Sequence, residues 1–242
     1  MTRDLTGAGT PERDWQDSGV LASLPRVTPE ALRPSGRVVV LAPHPDDETL
    51  GAGATLATWA RSGTPVTVVA VTDGEASHPG SPTLSPAQLV ERRVAERTEA
   101  LARLGLAGAP VVRTGLPDGG VGPRRRDLAA ALADLVAPGD TLLAPVPGDG
   151  HPDHDAVAEV AGAAGVPVLG YAVWWWHWAE AGALRPGAVT VECDDGAREA
   201  KRAAVACFRT QVEPLSDHPA DAAILPPPVL ERLVRHEEVL WR

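Results

Sequence analysis

The sequence predicts one α/β domain built on a mainly parallel sheet with helices on both faces. Three observations carry that expectation. Short strand-like runs at 37–42, 66–72, 110–114, 140–144 and 167–171 alternate with segments of helical period, the rhythm of βαβ units. The runs at 37–42 and 66–72 have the length and composition of buried strands. The chain has 242 residues, 44% of them hydrophobic, enough for one sizeable core.

The elements follow in order. Residues 1–20 are polar and Gly-rich and read as a loose arm. A short helix is expected at 27–34, with Thr28 as cap, Pro29 in the first turn and Pro34 as stop. After the strand at 37–42 comes a helix closed by Gly63, then the strand at 66–72. A loop rich in Ser, Pro and Gly covers 74–86. Leu89, Val90, Val94, Leu101 and Leu104 then mark an amphipathic helix to Gly105. Helices are expected near 125–136, 156–164, 195–209 and 228–239, and a late strand at 187–193. The domain division is an N-terminal arm and short helix over 1–35 and one α/β unit over 36–242, with the part after about 172 least defined by pattern.

Composition excludes several classes. There are 22 basic and 32 acidic residues, a net charge of −10, which argues against nucleic acid as partner. Arg124, Arg125 and Arg126 read as a solvated helix end beside Asp127. No apolar run approaches the roughly 20 residues of a membrane span, and the first residues lack a signal peptide's apolar segment. Cys193 and Cys207 form no CxxC pair and suit a reduced compartment. The expectation is a cytoplasmic protein acting on a small molecule, with a homo-oligomer left open.

Two segments carry chemistry. Pro43-His44-Pro45-Asp46-Asp47-Glu48 follows the first strand, and His151-Pro152-Asp153-His154 follows the strand at 140–144. Ligands gather at such strand ends in doubly wound sheets. His44 and Asp47 stand three apart at a helix start, so one turn can aim both at one point. His154 completes a two-His, one-carboxylate set with room for water or substrate, as catalytic zinc prefers. Fe(II) and Co(II) accept the same ligands. Asp46 then remains as general base, and His151 as oxyanion stabiliser or proton donor. The plainer alternative is that Asp46, Asp47, Glu48, Asp153 and Asp155 only cap helices.

The segment APHPDDETLGAGATLA resembles the signature of the PIG-L/LmbE-like deacetylases, and HPDH at 151–154 resembles their second metal motif. Thr72-Asp73-Gly74-Glu75, the Arg93-to-Gly105 helix, Leu116-Pro117-Asp118-Gly119 and the Lys201-to-Gln211 segment resemble further pieces in the family's order, although Thr210 stands where Ser is usual. The resemblance covers about 37–211. It implies a Rossmann-like fold, zinc on His44, Asp47 and His154, Asp46 as base and His151 as oxyanion stabiliser or acid. It also implies hydrolysis of an N-acyl group, most simply acetyl, on an N-acetylglucosamine-type amino sugar or glycoconjugate. Arg93 and Asp118 match positions that contact substrate in the family, and Glu75 is grouped with them. Their plainer readings are an Arg93–Glu96 pair along the helix and a Pro-Asp-Gly turn.

Trp174, Trp175, Trp176 and Trp178 surround His177. Strand-like alternation puts Trp174, Trp176 and Trp178 on one face and Trp175 with His177 on the other. Trp176 and His177 are the expected substrate contacts from this cluster, with core packing as the alternative. His78, His218 and His236 read as surface residues. Gly51-Ala52-Gly53 with Asp73 mimics a dinucleotide fingerprint, but Leu56 replaces the third glycine and the pair lies inside a helix. These glycines are expected to allow close helix–sheet packing.

Overall fold

The computed structural model describes residues 7–242. In chain order it contains α1 (Glu12–Asp17), α2 (Val20–Ser23), β1 (Arg26–Val27), β2 (Val38–Ala42), α3 (Asp47–Arg61), β3 (Val66–Ala70), α4 (Pro86–Arg103), β4 (Val111–Arg113), α5 (Arg125–Leu135), β5 (Thr141–Pro145), α6 (Pro152–Gly162), β6 (Val168–Tyr171), α7 (Trp175–Trp178), β7 (Ala188–Val191), α8 (Asp195–Val205), α9 (Arg209–Val212), α10 (Pro227–Leu233) and β8 (Glu238–Trp241). The strands form one sheet in the order β1-β7-β8-β6-β5-β2-β3-β4. Every pairing is parallel except those of β8, which runs antiparallel between β6 and β7.

Alternation along β2 builds two cores. Val38, Val40 and Ala42 face a layer that includes Leu56 and Trp59 of α3, Leu101 of α4 and Ala204 of α8. Val39 and Leu41 face Leu128 and Leu132 of α5 and Val157 and Ala161 of α6. From β2 the chain moves outward through β3 and β4, then returns to β5 on the other side of β2. That reversal opens the ligand crevice of a doubly wound sheet beyond the carboxyl ends of β2 and β5. Both chemistry-bearing segments lie there.

Helix α3 is bent where it must be. Ala52 leaves helical geometry at φ −146°, which frees the Leu50 carbonyl and the Ala54 and Thr55 amides. A buried ion pair fills the gap. Lys201, the only lysine in the chain, donates to the Leu50 carbonyl and to Glu238, both at 2.8 Å. Glu238 accepts from Ala54 N–H and Thr55 N–H at 2.8 Å and from the Thr55 hydroxyl at 2.6 Å. Insertion of side chains into the i→i−4 ladder is a known cause of kinks. Gly51 and Gly53 permit the close approach: a Cβ at Gly51 would fall 2.2 Å from the Tyr171 ring, and one at Gly53 3.0 Å from Lys201. Removing Glu238 strands a buried cation and two amides. Glu238→Ala is therefore expected to cost about 3–5 kcal/mol, read from denaturant melts; a loss near zero would contradict the bridging role.

Several expectations differ from the fold. From residue 7 onward the segment expected as a loose arm is packed: Trp15 is fully buried and its indole donates to the Trp176 carbonyl at 3.1 Å. The turn at Pro29–Leu32 is a 3₁₀ helix, capped by Thr28 as expected. The helix expected over 228–239 ends at Leu233, and Glu238–Trp241 becomes a strand because β6 and β7 leave a gap in the sheet that this segment fills. The expected strand-like run of tryptophans is a short helix, α7.

Candidate metal centre and active site

His44 leaves β2 in a turn clamped by Thr72, whose hydroxyl donates to the Pro43 carbonyl at 2.8 Å. Asp47 opens α3, and its Oδ2 accepts the His44 amide at 2.8 Å. His154 sits in the first turn of α6. Three atoms converge: His44 Nδ1 to Asp47 Oδ2 is 3.2 Å, His154 Nε2 to Asp47 Oδ2 is 3.1 Å, and His154 Nε2 to His44 Nδ1 is 3.3 Å. Donors about 2.0–2.1 Å from a tetrahedral ion stand about 3.3 Å apart. The residues present therefore fit a metal ion with three protein ligands and one face open to the cavity.

The far nitrogen of each imidazole meets a carboxylate. His44 Nε2 lies 3.1 Å from Asp118 Oδ1 and 3.4 Å from Asp153 Oδ2. His154 Nδ1 lies 2.8 Å from Asp149 Oδ2. Such partners fix the tautomer that turns the bare nitrogen toward a metal. Asp153 also accepts the amides of Gly119 and Val121 at 2.7 and 3.0 Å, tying the second motif to the Asp118 loop.

Charge balance shapes the cluster. Burial opposes protonation of both ligand imidazoles, but carboxylates win. Asp47 and Asp149 push His154 up to about 9. Asp118, Asp153 and Asp47 raise His44 well above the usual imidazole range. Burial would raise Asp47, yet His154 and His44 hold it far below the usual carboxylate range. His151 moves the other way: burial, then the neighbouring His154 and His44, depress it to about 3.

Asp46 flanks the cluster. Its φ of 149° is the one positive value among described non-glycine residues, strain of the kind that persists at functional sites. Arg93, from α4, donates to Asp46 Oδ2 at 3.1 Å and to the carbonyls of Pro45 and Gly74 at 3.1 and 3.0 Å. Burial raises the Asp46 carboxyl to about 7, with Arg93 opposing and Asp47 assisting. His151 lies on the other flank, its ring 4.7 Å from His44 centre to centre. Its Nδ1 accepts the Asp153 amide at 3.2 Å, so the proton of the neutral ring sits on Nε2.

These groups line a cavity of about 210 Å³. Its lining is polar at Asp46, Arg93, Asp118 and His151 and apolar at Leu50, Val173, Trp174, Ile224 and Leu225. Arg93 and Asp118 thus reach the cavity. Arg93 does not pair with Glu96, which bonds instead to Thr210, through its amide at 2.9 Å and its hydroxyl at 2.7 Å; Asp118 does stand in the expected Pro-Asp-Gly turn, closed by the Gly120 amide on the Pro117 carbonyl at 3.0 Å. Glu75 lies behind Asp118 and accepts its amide at 2.9 Å. Trp176 and His177 do not line the cavity. Trp176 packs on Trp15 and Trp241, and Arg232 lies 2.9 Å from His177 Nδ1. Helical rather than strand-like geometry turns them inward and leaves Trp174 at the cavity. His78, expected at the surface, is 4% exposed. Its loop is pinned by Asp221, which accepts the hydroxyls of Ser81 and Thr83.

Sequence reasoning missed Asp149, Val173, Ile224 and Leu225. Asp149 carried one signal, a carboxylate two residues before His151 in a loop read only for its Pro and Gly. The apolar residues carried none, because their role depends on distant segments folding onto the strand ends.

The chain is similar to several known proteins. A 1D-myo-inositol 2-acetamido-2-deoxy-α-D-glucopyranoside deacetylase of Tsukamurella paurometabola is 34% identical over 188 residues, covering 60% of this chain and 63% of that protein. The chain spans between about half and just under two thirds of the length of the curated relatives it matches. The conserved protein TT1542 from Thermus thermophilus superposes with a TM-score of 0.53 at 31% identity, over 72% of this chain and 79% of its own. The A40926 pseudoaglycone deacetylase Dbv21 gives 0.58 at 27% identity, over 85% and 96%. The PIG-L family model, described as GlcNAc-PI de-N-acetylase, matches residues 39–164, just over half the chain and the span that holds both HPD motifs. The chain belongs to the PIG-L family.

Proposed function

We propose that this protein is a zinc-dependent N-deacetylase that hydrolyses the acetamide of an N-acetylglucosamine-type sugar or sugar conjugate. The observation that carries the reading is the convergence of His44 Nδ1, Asp47 Oδ2 and His154 Nε2 within 3.3 Å of one another at the floor of the cavity. The names of the relatives support the substrate class, since they are deacetylases of a 2-acetamido-2-deoxy-glucopyranoside and of an antibiotic pseudoaglycone. The N and O ligand set suits zinc, and Fe(II) or Co(II) are its rivals.

When bound, the ion would polarise the amide carbonyl and acidify water. Asp46 is the base. Arg93 holds one of its oxygens, which fixes the carboxylate against the cavity, and a pKa near the working pH suits proton transfer. His151 presents Nε2–H toward the carbonyl and stabilises the oxyanion. The amine leaves with the proton that Asp46 took from the water. Arg93 and Asp118 bound the sugar side, while Glu75 supports Asp118.

A cavity of about 210 Å³ lies below the roughly 300–1,000 Å³ of drug-sized sites. One sugar ring with a short acyl group suits it. The apolar lining at Trp174, Ile224 and Leu225 favours a second reading on the same centre, in which a longer acyl chain or an apolar conjugate meets those residues. Release of free amine from N-acetyl-, N-butyryl- and N-octanoyl-glucosamine and from N-acetylglucosamine glycosides tests both. Preference for acetyl supports the first reading and preference for the longer chains the second; no release from any would contradict both.

Two buried free cysteines suit a reducing compartment, and we place the protein in the cytoplasm. Among the described residues no helix is long and apolar enough to cross a membrane.

Zinc and protons compete for the same nitrogens. With His154 pushed up to about 9, its imidazole carries an extra proton at pH 7 and must lose it to bind the ion; the carboxylates around His44 raise it in the same direction. Zinc binding at pH 7 is expected to release about one proton or more, so affinity falls by at least about 10-fold per pH unit on acidification. The release declines as pH rises past 9. Calorimetric titration in buffers of different ionisation enthalpy measures it; no release at pH 7 would contradict the charge balance described.

A further inference from the structure

One carboxylate holds both a metal-side imidazole and the aromatic wall of the cavity. Asp149 is fully buried in the loop after β5. Its Oδ2 lies 2.8 Å from His154 Nδ1 and accepts the Trp174 amide at 3.0 Å. Its Oδ1 accepts the amides of Val173 and Trp175 at 3.0 and 2.9 Å. Its carbonyl accepts the Trp178 indole at 2.6 Å. Four donors fill the roughly four acceptor sites of a carboxylate, and they join His154 to the backbone of Val173–Trp175.

We propose that Asp149 is a positioning residue that couples metal binding to the cavity wall. It keeps His154 in the tautomer with Nε2 bare toward His44 and Asp47. The same two oxygens fix the backbone at Val173–Trp175, which delivers Trp174 to the cavity, its ring stacked 6.5 Å from His151. The inference rests on the metal-centre reading above. Asparagine at this position keeps the shape but offers one acceptor oxygen and brings an NH₂ that must face N–H groups. It cannot satisfy His154 and three amides together, so both functions loosen at once.

The test compares wild type with Asp149→Asn, Trp174→Ala and His154→Ala. Zinc affinity is read by chelator competition, without turnover. KM and kcat are read at saturating zinc, and metal-free melting is recorded for each. Wild type is expected to bind one zinc and His154→Ala to lose it; if these two bind alike, the metal-centre reading itself fails. Asp149→Asn is expected to bind zinc about 10- to 100-fold more weakly, the usual cost of losing a partner behind a ligand, and to raise KM about 3- to 10-fold. Trp174→Ala is expected to share the raised KM with zinc affinity unchanged. Wild-type zinc affinity in Asp149→Asn, with only a lower melting temperature, would overturn the proposal. Should that variant not fold, nitrogen resonances of zinc-loaded wild type decide: Nδ1 of His154 protonated and Nε2 bare is expected, and the reverse tautomer overturns it.

Discussion

Asp46→Asn is expected to lower kcat by about 10²–10⁴ while zinc remains bound. The asparagine keeps the volume at a site that is 6% exposed and can still accept from Arg93, but it takes no proton. Asp46 is not a metal-facing atom in the cluster; its neighbour Asp47 supplies that oxygen. Zinc stoichiometry should therefore stay at the wild-type value while turnover collapses. The strained backbone at Asp46 fits this division of labour, since adjacent carboxylates must point to different targets. Steady-state kinetics with metal analysis of the same sample measures the effect. A rate within a few-fold of wild type would rule Asp46 out as base.

His151→Ala is expected to reduce kcat by about 10²–10³, the cost of losing one oxyanion donor, with zinc affinity preserved. His151, His44 and His154 together form a group able to hold an ion, so a ligand role must be separated from a donor role. The donor role follows from the Asp153 amide on Nδ1, which leaves the ring proton on Nε2, facing the site. The low pKa, set by burial and two neighbouring imidazoles, keeps the ring neutral. If chelator competition instead found zinc binding weakened as much as in His154→Ala, His151 would be a ligand and Asp47 the residue to reassign.

Much of this was legible in the sequence because it is local. The strands from β2 to β6 announce themselves as short runs between helical segments, β-branched in β2 and β3, and both HPD segments follow strands, where the crevice of a doubly wound sheet must lie. Spacing alone aims His44 and Asp47 at one point. The features that were not legible depend on partners far along the chain. The kink in α3 is set by Lys201 and Glu238, some 150 and 185 residues beyond it. Trp15 is a core residue only because α7 offers it Trp176. The final strand forms where the sheet is otherwise incomplete, although its residues continue a helical pattern. Strand-like alternation is the wrong periodicity for the tryptophan cluster: it groups Trp176 with Trp174, whereas the helix turns Trp176 into the core and leaves Trp174 at the cavity. Asp149 acts through four donors that no motif describes.

The most direct measurement is the rate of amine release from an N-acetylglucosamine derivative as zinc is added back to metal-stripped protein. The account predicts no turnover without metal, a linear rise to one equivalent and a plateau there, with no rise in His154→Ala. Turnover in the stripped protein, or a rise that His154→Ala shares, would contradict a catalytic metal at His44, Asp47 and His154.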